Sequence, residues 1–291
     1  MVARLSPTNP VATEPFFLEV PEGRLYAVYR RPPPGVPVRG NVLHVPPFNE
    51  EMNRCRSMVT MQAHELARLG FGTLSIDLLG TGDSTGEYRD GRWSVWLDNL
   101  RAGLAWLDGQ PGSQRFLWGS RLGALLAADL HASLALPTVG LMLWQPVLDG
   151  KQYFNQFLRL RLAAQMYRTD IPKETTGILR ERLSKGETVE VSGYEIHPEL
   201  AHAMEAAKLA ACLPAAGAPL LWLENVSTGN PDVSPASAGL LEIWREKGLN
   251  PDVLTFEGPQ FWQVHERVVS PQAIQKTTAW LAAHIGEACP T

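Results

Sequence analysis

The stretch LWGSRLGA, residues 117–124, sets Gly119 and Gly123 four positions apart, between an apolar run and an alanine-rich one. That is the spacing of the G-x-S-x-G elbow, which presents a nucleophilic serine on the tight turn between a strand and a helix. Here the apex residue is Arg121, and the serine, Ser120, stands one position early. Moving Ser120 to the apex would place Trp118 and Leu122 where the turn tolerates almost no side chain, so Arg121 is expected at the apex. A guanidinium is no nucleophile, but its planar fork suits a carboxylate, a phosphate or a developing oxyanion. Buried without a partner it would be costly, so Asp232, Glu50, Glu51 or an anionic ligand is expected beside it. A purely structural ion pair is the plainer alternative.

Around an elbow of this kind the chain order is nucleophile, acid, histidine. Asp232 in ENVSTGNPDVSP and His265 in QFWQVHERVVSP follow in that order, each in a loop after an expected strand. His265 is therefore the candidate general base and Asp232 the residue that orients it, with a covalent route through Ser120 as a variant. Across the site lies HVPPFNEEMNRCR. Its prolines have no N–H, so the oxyanion donors expected there are the backbone groups of Phe48 or Asn49, with Leu122 opposite. Glu50 and Glu51 read either as part of the binding site or as an ordinary acidic helix start. The glycine-rich DLLGTGDSTGE fits neither nucleotide-binding spacing and reads as a tight loop bordering the pocket.

The elements that must hold these loops alternate. FFLEV and RLYAVYR read as strands around a PEG turn, and NVLHV, FGTLSIDLLG, RFLWG, TVGLMLWQPVLDG, APLLWLENV and DVLTFEG follow as further strands. Between them MVTMQAHELARLG, WSVWLDNLRAGLAWLDG, RLGALLAADLHASLA, SAGLLEIWREKG and SPQAIQKTTAWLAAHI have helical periodicity. Strand–helix alternation with near-continuous apolar strands predicts an α/β fold, a mostly parallel sheet covered by helices on both faces. Its ligand belongs at the carboxyl ends of the strands, where the loops after residues 45, 77, 119, 226 and 258 converge. From 150 to 214 the rhythm gives way to helical sequence with one hairpin around EVSGYEI. The organisation expected is an α/β core over 1–149, a mainly helical lid over 150–214 and the rest of the core over 215–291.

With 291 residues and a net charge of −4 without a basic run, the chain lacks the clustered cations that nucleic-acid binding needs. Cys55, Cys212 and Cys289 form no CxxC pair, which argues against a disulfide framework or a zinc site. The proline-bearing N-terminus MVARLSPTNPVATEPFF lacks a signal-peptide core, and no apolar run is long enough to span a membrane. A cytoplasmic protein without metal or cofactor is expected.

Taken together, HVPPFNEEMNRCR, SIDLLGTGDSTGE, FLWGSRLGALLA, LMLWQPVLDGKQYFNQFLRLRLA and PDVSPAS resemble the exosortase A system-associated hydrolases. The similarity is to the second hydrolase type of those bacterial exopolysaccharide loci and runs over most of residues 40–270. It implies an α/β-hydrolase of the serine aminopeptidase type, with an arginine at the elbow as a feature of the branch and an acyl-carrier protein as partner. The activity expected is hydrolysis or transfer of an acyl ester or thioester on a small or carrier-bound substrate. In it Arg121 and the Leu122 and Phe48 N–H groups hold the substrate. The alternative is a non-catalytic module that binds a ligand or carrier protein.

Overall fold

The computed structural model describes residues 10–134, 139–165 and 174–284; Cys289 and the first nine residues lie outside them. Eight strands form one sheet in the order β1-β2-β4-β3-β5-β6-β9-β10. β1 (Ala12–Val20) and β2 (Gly23–Arg31) form an antiparallel hairpin, and β2 also runs antiparallel to β4 (Phe71–Ile76). From β4 onward all pairings are parallel, through β3 (Gly40–Val45), β5 (Gln114–Ser120), β6 (Val139–Trp144), β9 (Leu220–Val226) and β10 (Asp252–Glu257). β3 and β6 are buried at every residue, as strands covered on both faces must be.

Helices α1 (Glu50–Arg68) and α8 (Pro271–Ala283) pack together on one face. Helices α2 (Trp93–Asp108) and α3 (Leu122–Leu134) cover the other. The periodicity of MVTMQAHELARLG predicts a shorter α1; the helix begins eight residues earlier, with Glu50 and Glu51 in its first turn, where the helix dipole favours acids. Asn49 ends the preceding loop at φ 53°, so the chain reverses sharply from the prolines into the helix.

Between β6 and β9 the chain forms α4 (Gly150–Gln165), α5 (Thr176–Ser184), the small hairpin β7 (Val189–Val191) and β8 (Tyr194–Ile196), and α6 (Pro198–Ala206). Phe154, Leu158, Leu179 and Leu200 of this segment belong to the same apolar cluster as Leu43 of β3 and Leu125 of α3. α7 (Pro235–Glu246) then carries the chain to β10. No helix of the described residues is long and apolar enough to cross a membrane.

One core histidine gives the fold a titration signature. His44 of β3 is 4 % exposed, lies against Trp118 with ring centroids 4.7 Å apart, and leaves its Nε2 without a partner. Burial, helped by the Arg30 charge, pulls its pKa down to about 3. The unfolded chain takes up this proton near pH 6.5 and the native chain only near pH 3, so His44 withdraws stability as pH falls through that window. His44→Phe is expected to keep the ring contact with Trp118 and flatten the acid side of the stability profile, by up to about 1.4 kcal/mol per pH unit. Urea denaturation of both proteins at pH 6, 5 and 4 checks this; equal slopes would exclude His44 as the source.

Candidate active site

The turn from β5 into α3 has the elbow geometry anticipated from the glycine spacing. Arg121 sits at φ 57°, a left-handed conformation rare for a residue with a side chain. A Cβ on Gly119 would run into Gly123 and the Ala124 backbone, and one on Gly123 into Val45 and Pro46, so both glycines answer a close backbone approach. The strained residue is latched on both sides by the exit of β6. Its N–H donates to the Trp144 carbonyl at 2.9 Å, and its carbonyl accepts from the Val147 N–H at 3.2 Å. Strain of about 1–3 kcal/mol persists where surrounding bonds over-determine the conformation, as they do here.

The Arg121 side chain finds one of the three acids considered for it. Its Nε donates to Glu51 Oε1 at 3.1 Å, with the two side chains only 15 % and 14 % exposed. The Tyr153 hydroxyl of α4 donates to the other oxygen of Glu51 at 3.0 Å. The guanidinium also lies 5.3 Å from the Trp262 ring centroid and 5.8 Å from that of Tyr153, within cation–π range. Burial raises the Glu51 pKa, while Arg121 and the Tyr153 hydroxyl oppose it. Burial, and next the Glu51 charge, raise Tyr153 well above the usual phenol range, which keeps it a donor. Glu51 thus opens α1 and also serves as the partner of the apex.

The other candidates stand elsewhere. Ser120 is 2 % exposed and its Oγ makes no hydrogen bond, one residue before the apex at the end of β5. His265 is exposed, and its Nε2 lies 3.4 Å from the Arg54 guanidinium. A guanidinium cannot accept, so any hydrogen bond in this contact has Nε2 as its acceptor. Arg54 also donates to the carbonyls of Trp262 and Gln263, which ties the His265 loop to α1. Asp232 is exposed, and its N–H donates to Asn230 Oδ1 at 3.4 Å. Among the described residues no hydrogen bond or ion pair joins His265 to Asp232 or to Ser120. Glu50 shares a shallow recess with Asn53, Arg54 and His265.

A cavity of about 300 Å³ opens beside the elbow. Phe48, Asn49, Leu122 and Gly123 form its wall on the elbow side; Arg121 is not part of its lining. Trp93, Trp96, Tyr88 and, from the β7–β8 hairpin, Tyr194 also line it, with the Tyr88 and Tyr194 rings 5.0 Å apart. Phe48 is the hub of this wall, with ring centroids 5.4 Å from Phe157 and 6.1 Å from Trp96 and Tyr153. The N–H groups of Phe48, Asn49 and Leu122 donate to no protein acceptor among the described residues. The aromatic lining was not anticipated, because Tyr88, Trp93 and Tyr194 come from separate loops and helices that only the fold brings together.

Comparison with known proteins follows from this geometry. The family model described as serine aminopeptidase, S33, matches residues 37–218. Similar solved structures include Est1E from Butyrivibrio proteoclasticus with bound ferulic acid, at TM-score 0.67 and 14% identity over 94% of this chain and 100% of that one. A thermostable carboxyl esterase from Bacillus coagulans in complex with glycerol aligns at TM-score 0.61 and 13% identity, over 95% and 98% of the two chains. A serine hydrolase without a lid from Xanthomonas campestris aligns at 0.55 and 17%, over 98% and 100%. These likenesses establish the α/β-hydrolase fold. No protein of curated function matches the chain in sequence.

The buried pair predicts a specific stability pattern. Removing one partner leaves an uncompensated buried charge, so Glu51→Gln and Arg121→Met should each lose about 3–5 kcal/mol, whereas Glu51→Gln with Arg121→Met should lose far less than the sum. Urea denaturation of the four proteins measures the coupling, and single variants within about 1 kcal/mol of the parent would show that neither charge is left uncompensated when the other is removed.

Proposed function

The chain belongs to the serine aminopeptidase S33 family, and on that premise we propose that its elbow cavity holds a small or carrier-borne acyl ester or thioester without forming an acyl-enzyme. In this reading the acyl chain lies among Trp93, Trp96 and Tyr88, and its carbonyl oxygen meets the free N–H groups of Phe48 and Leu122. The segment 150–214 acts as the lid, with Tyr194 over the acyl group and Tyr153 behind Phe48. The observation that carries the proposal is the pairing of Arg121 with Glu51 at the apex. The position from which a serine would attack is filled by a cation already engaged, and the neighbouring Ser120 is buried. Fold alone does not supply chemistry, so a binding role is the reading this site supports best.

A hydrolytic reading stands beside it, favoured by the family itself. There His265, oriented by Asp232, activates a water against the bound carbonyl, and the pocket serves as thioesterase or acyltransferase site. For this the His265 loop must turn away from Arg54, since Nε2 is the atom that would take the proton. The resemblance to exosortase-associated hydrolases supports an acyl-carrier protein as the source of the acyl group under either reading.

Turnover separates the two. With p-nitrophenyl butyrate and a butyryl thioester, the binding reading expects rates at buffer background in the parent and in His265→Ala alike. It also expects no fluorophosphonate adduct at Ser120 in a peptide map, and saturable binding of a non-hydrolysable thioether analogue by calorimetry. Turnover that His265→Ala abolishes would establish the hydrolytic reading, and a stoichiometric Ser120 adduct would overturn the placement of the elbow.

A further inference from the structure

A second cavity, of about 180 Å³, is lined by residues of α1, β2 and β4; Pro46, Pro47 and Met52 line both it and the acyl pocket. Its floor follows from strand alternation. In β2, Leu25, Ala27 and Tyr29 are buried on one face, which puts Tyr26, Val28 and Arg30 on the other, and these three line the cavity. Val59 and Thr60 of α1 and Ile76 of β4 close it.

Arg30 is the anomaly there. Among the described residues, every other half-buried arginine is taken up by carboxylate or carbonyl oxygens. Arg92, Arg101, Arg115, Arg121, Arg161, Arg180 and Arg182 form ion pairs, and Arg54 donates to two backbone carbonyls. Arg30 makes neither kind of contact: its one hydrogen bond is a long one, 3.4 Å, to the Thr60 hydroxyl, and its Nε is buried without a partner. Burial pulls its pKa down from the usual guanidinium range, which is the signature of a charge not yet compensated.

The remaining charges at the cavity do not cancel it. Arg56, exposed on α1, forms no ion pair among the described residues, and Asp77 is the one carboxylate in the lining, with its Oδ2 accepting the Asp83 N–H at 3.1 Å. Two guanidinium groups and one carboxylate leave a single positive charge. His44, buried at the wall, is neutral at physiological pH and adds none. Beside this charge stand the apolar side chains of Val28, Val59, Met52 and Ile76, more surface than a hydrated inorganic ion can use.

We propose that this cavity is a binding site for a short-chain monocarboxylate, its carboxylate on the Arg30 guanidinium and its alkyl group against Val28, Val59 and Ile76. Arginine binds carboxylates through paired charge-assisted bonds, and the aliphatic wall selects a small organic acid over phosphate. The site is separate from the elbow and does not depend on what the acyl pocket does.

Titration of the full chain with butyrate, read by methyl NMR and calorimetry, tests it. Butyrate is expected to shift the methyl signals of Val28, Val59 and Ile76 in a saturable way. Arg30→Met should weaken that binding roughly ten- to a hundredfold, as loss of a charge-assisted contact does. Because Arg30 has no protein carboxylate to abandon, Arg30→Met is also expected to melt at the same temperature as the parent or higher in butyrate-free buffer, and to gain less from added butyrate. Arg56→Gln, a surface change, should weaken binding by a smaller factor. Equal affinity in Arg30→Met, shifts confined to Leu122 and Leu126 in the acyl pocket, or saturation by inorganic phosphate with no response to butyrate would each overturn the proposal.

Discussion

The ion pair between Arg121 and Glu51 is the contact on which the arrangement of the site depends. It joins the strained turn after β5 to the first turn of α1, and through the Tyr153 hydroxyl it reaches α4. Trp262 lies over the same guanidinium, which brings in the loop before α8. Four stretches far apart in the chain thus meet around one charge. A buried pair of this kind contributes little net stability compared with apolar packing, yet breaking it is costly, so its effect is to fix which elements stand next to one another.

The elbow turn itself does not depend on that pair. The left-handed conformation of Arg121 is sustained from below by the Trp144 and Val147 backbone bonds and from the side by the two glycine contacts. None of these involves the apex side chain. The turn is therefore available to any side chain that can be satisfied beyond it, and a guanidinium facing an acid at the head of α1 is one solution. The N–H groups of Phe48, Asn49 and Leu122 beside it have no protein acceptor among the described residues, and two of them, Phe48 and Leu122, are those proposed to meet the ligand.

Much of the fold was legible in the chain because the signals are local. Alternating strands and helices, the paired glycines of the elbow and the hairpin around EVSGYEI each depend on nearest neighbours along the sequence, and each appears where its pattern lies. The start of α1 was less so: Asn53 and Arg54 interrupt the apolar periodicity, and the helix is opened instead by the positive φ of Asn49 and the acids that follow. The site was legible only as candidates. Chain order brings Asp232 and His265 into plausible loops, but what each touches depends on loop geometry, and here Arg54 stands at the His265 ring. Likewise three acids qualified as the partner of Arg121, and only the position of α1 against the elbow selects Glu51. Arg30 reads in sequence as an ordinary strand cation; that it lacks a carboxylate emerges only from the packing of α1 over β2.

The Arg121 Nε–H proton reports on the central contact directly. In ¹⁵N-labelled protein at neutral pH the account predicts that the Arg121 Nε–H resonance exchanges slowly with water and joins the fast-exchanging set in Glu51→Gln. An Arg121 resonance that exchanges as fast as those of the exposed Arg245 and Arg267, with no response to Glu51→Gln, would contradict the ion pair and with it the reading of the apex as an occupied, non-nucleophilic position.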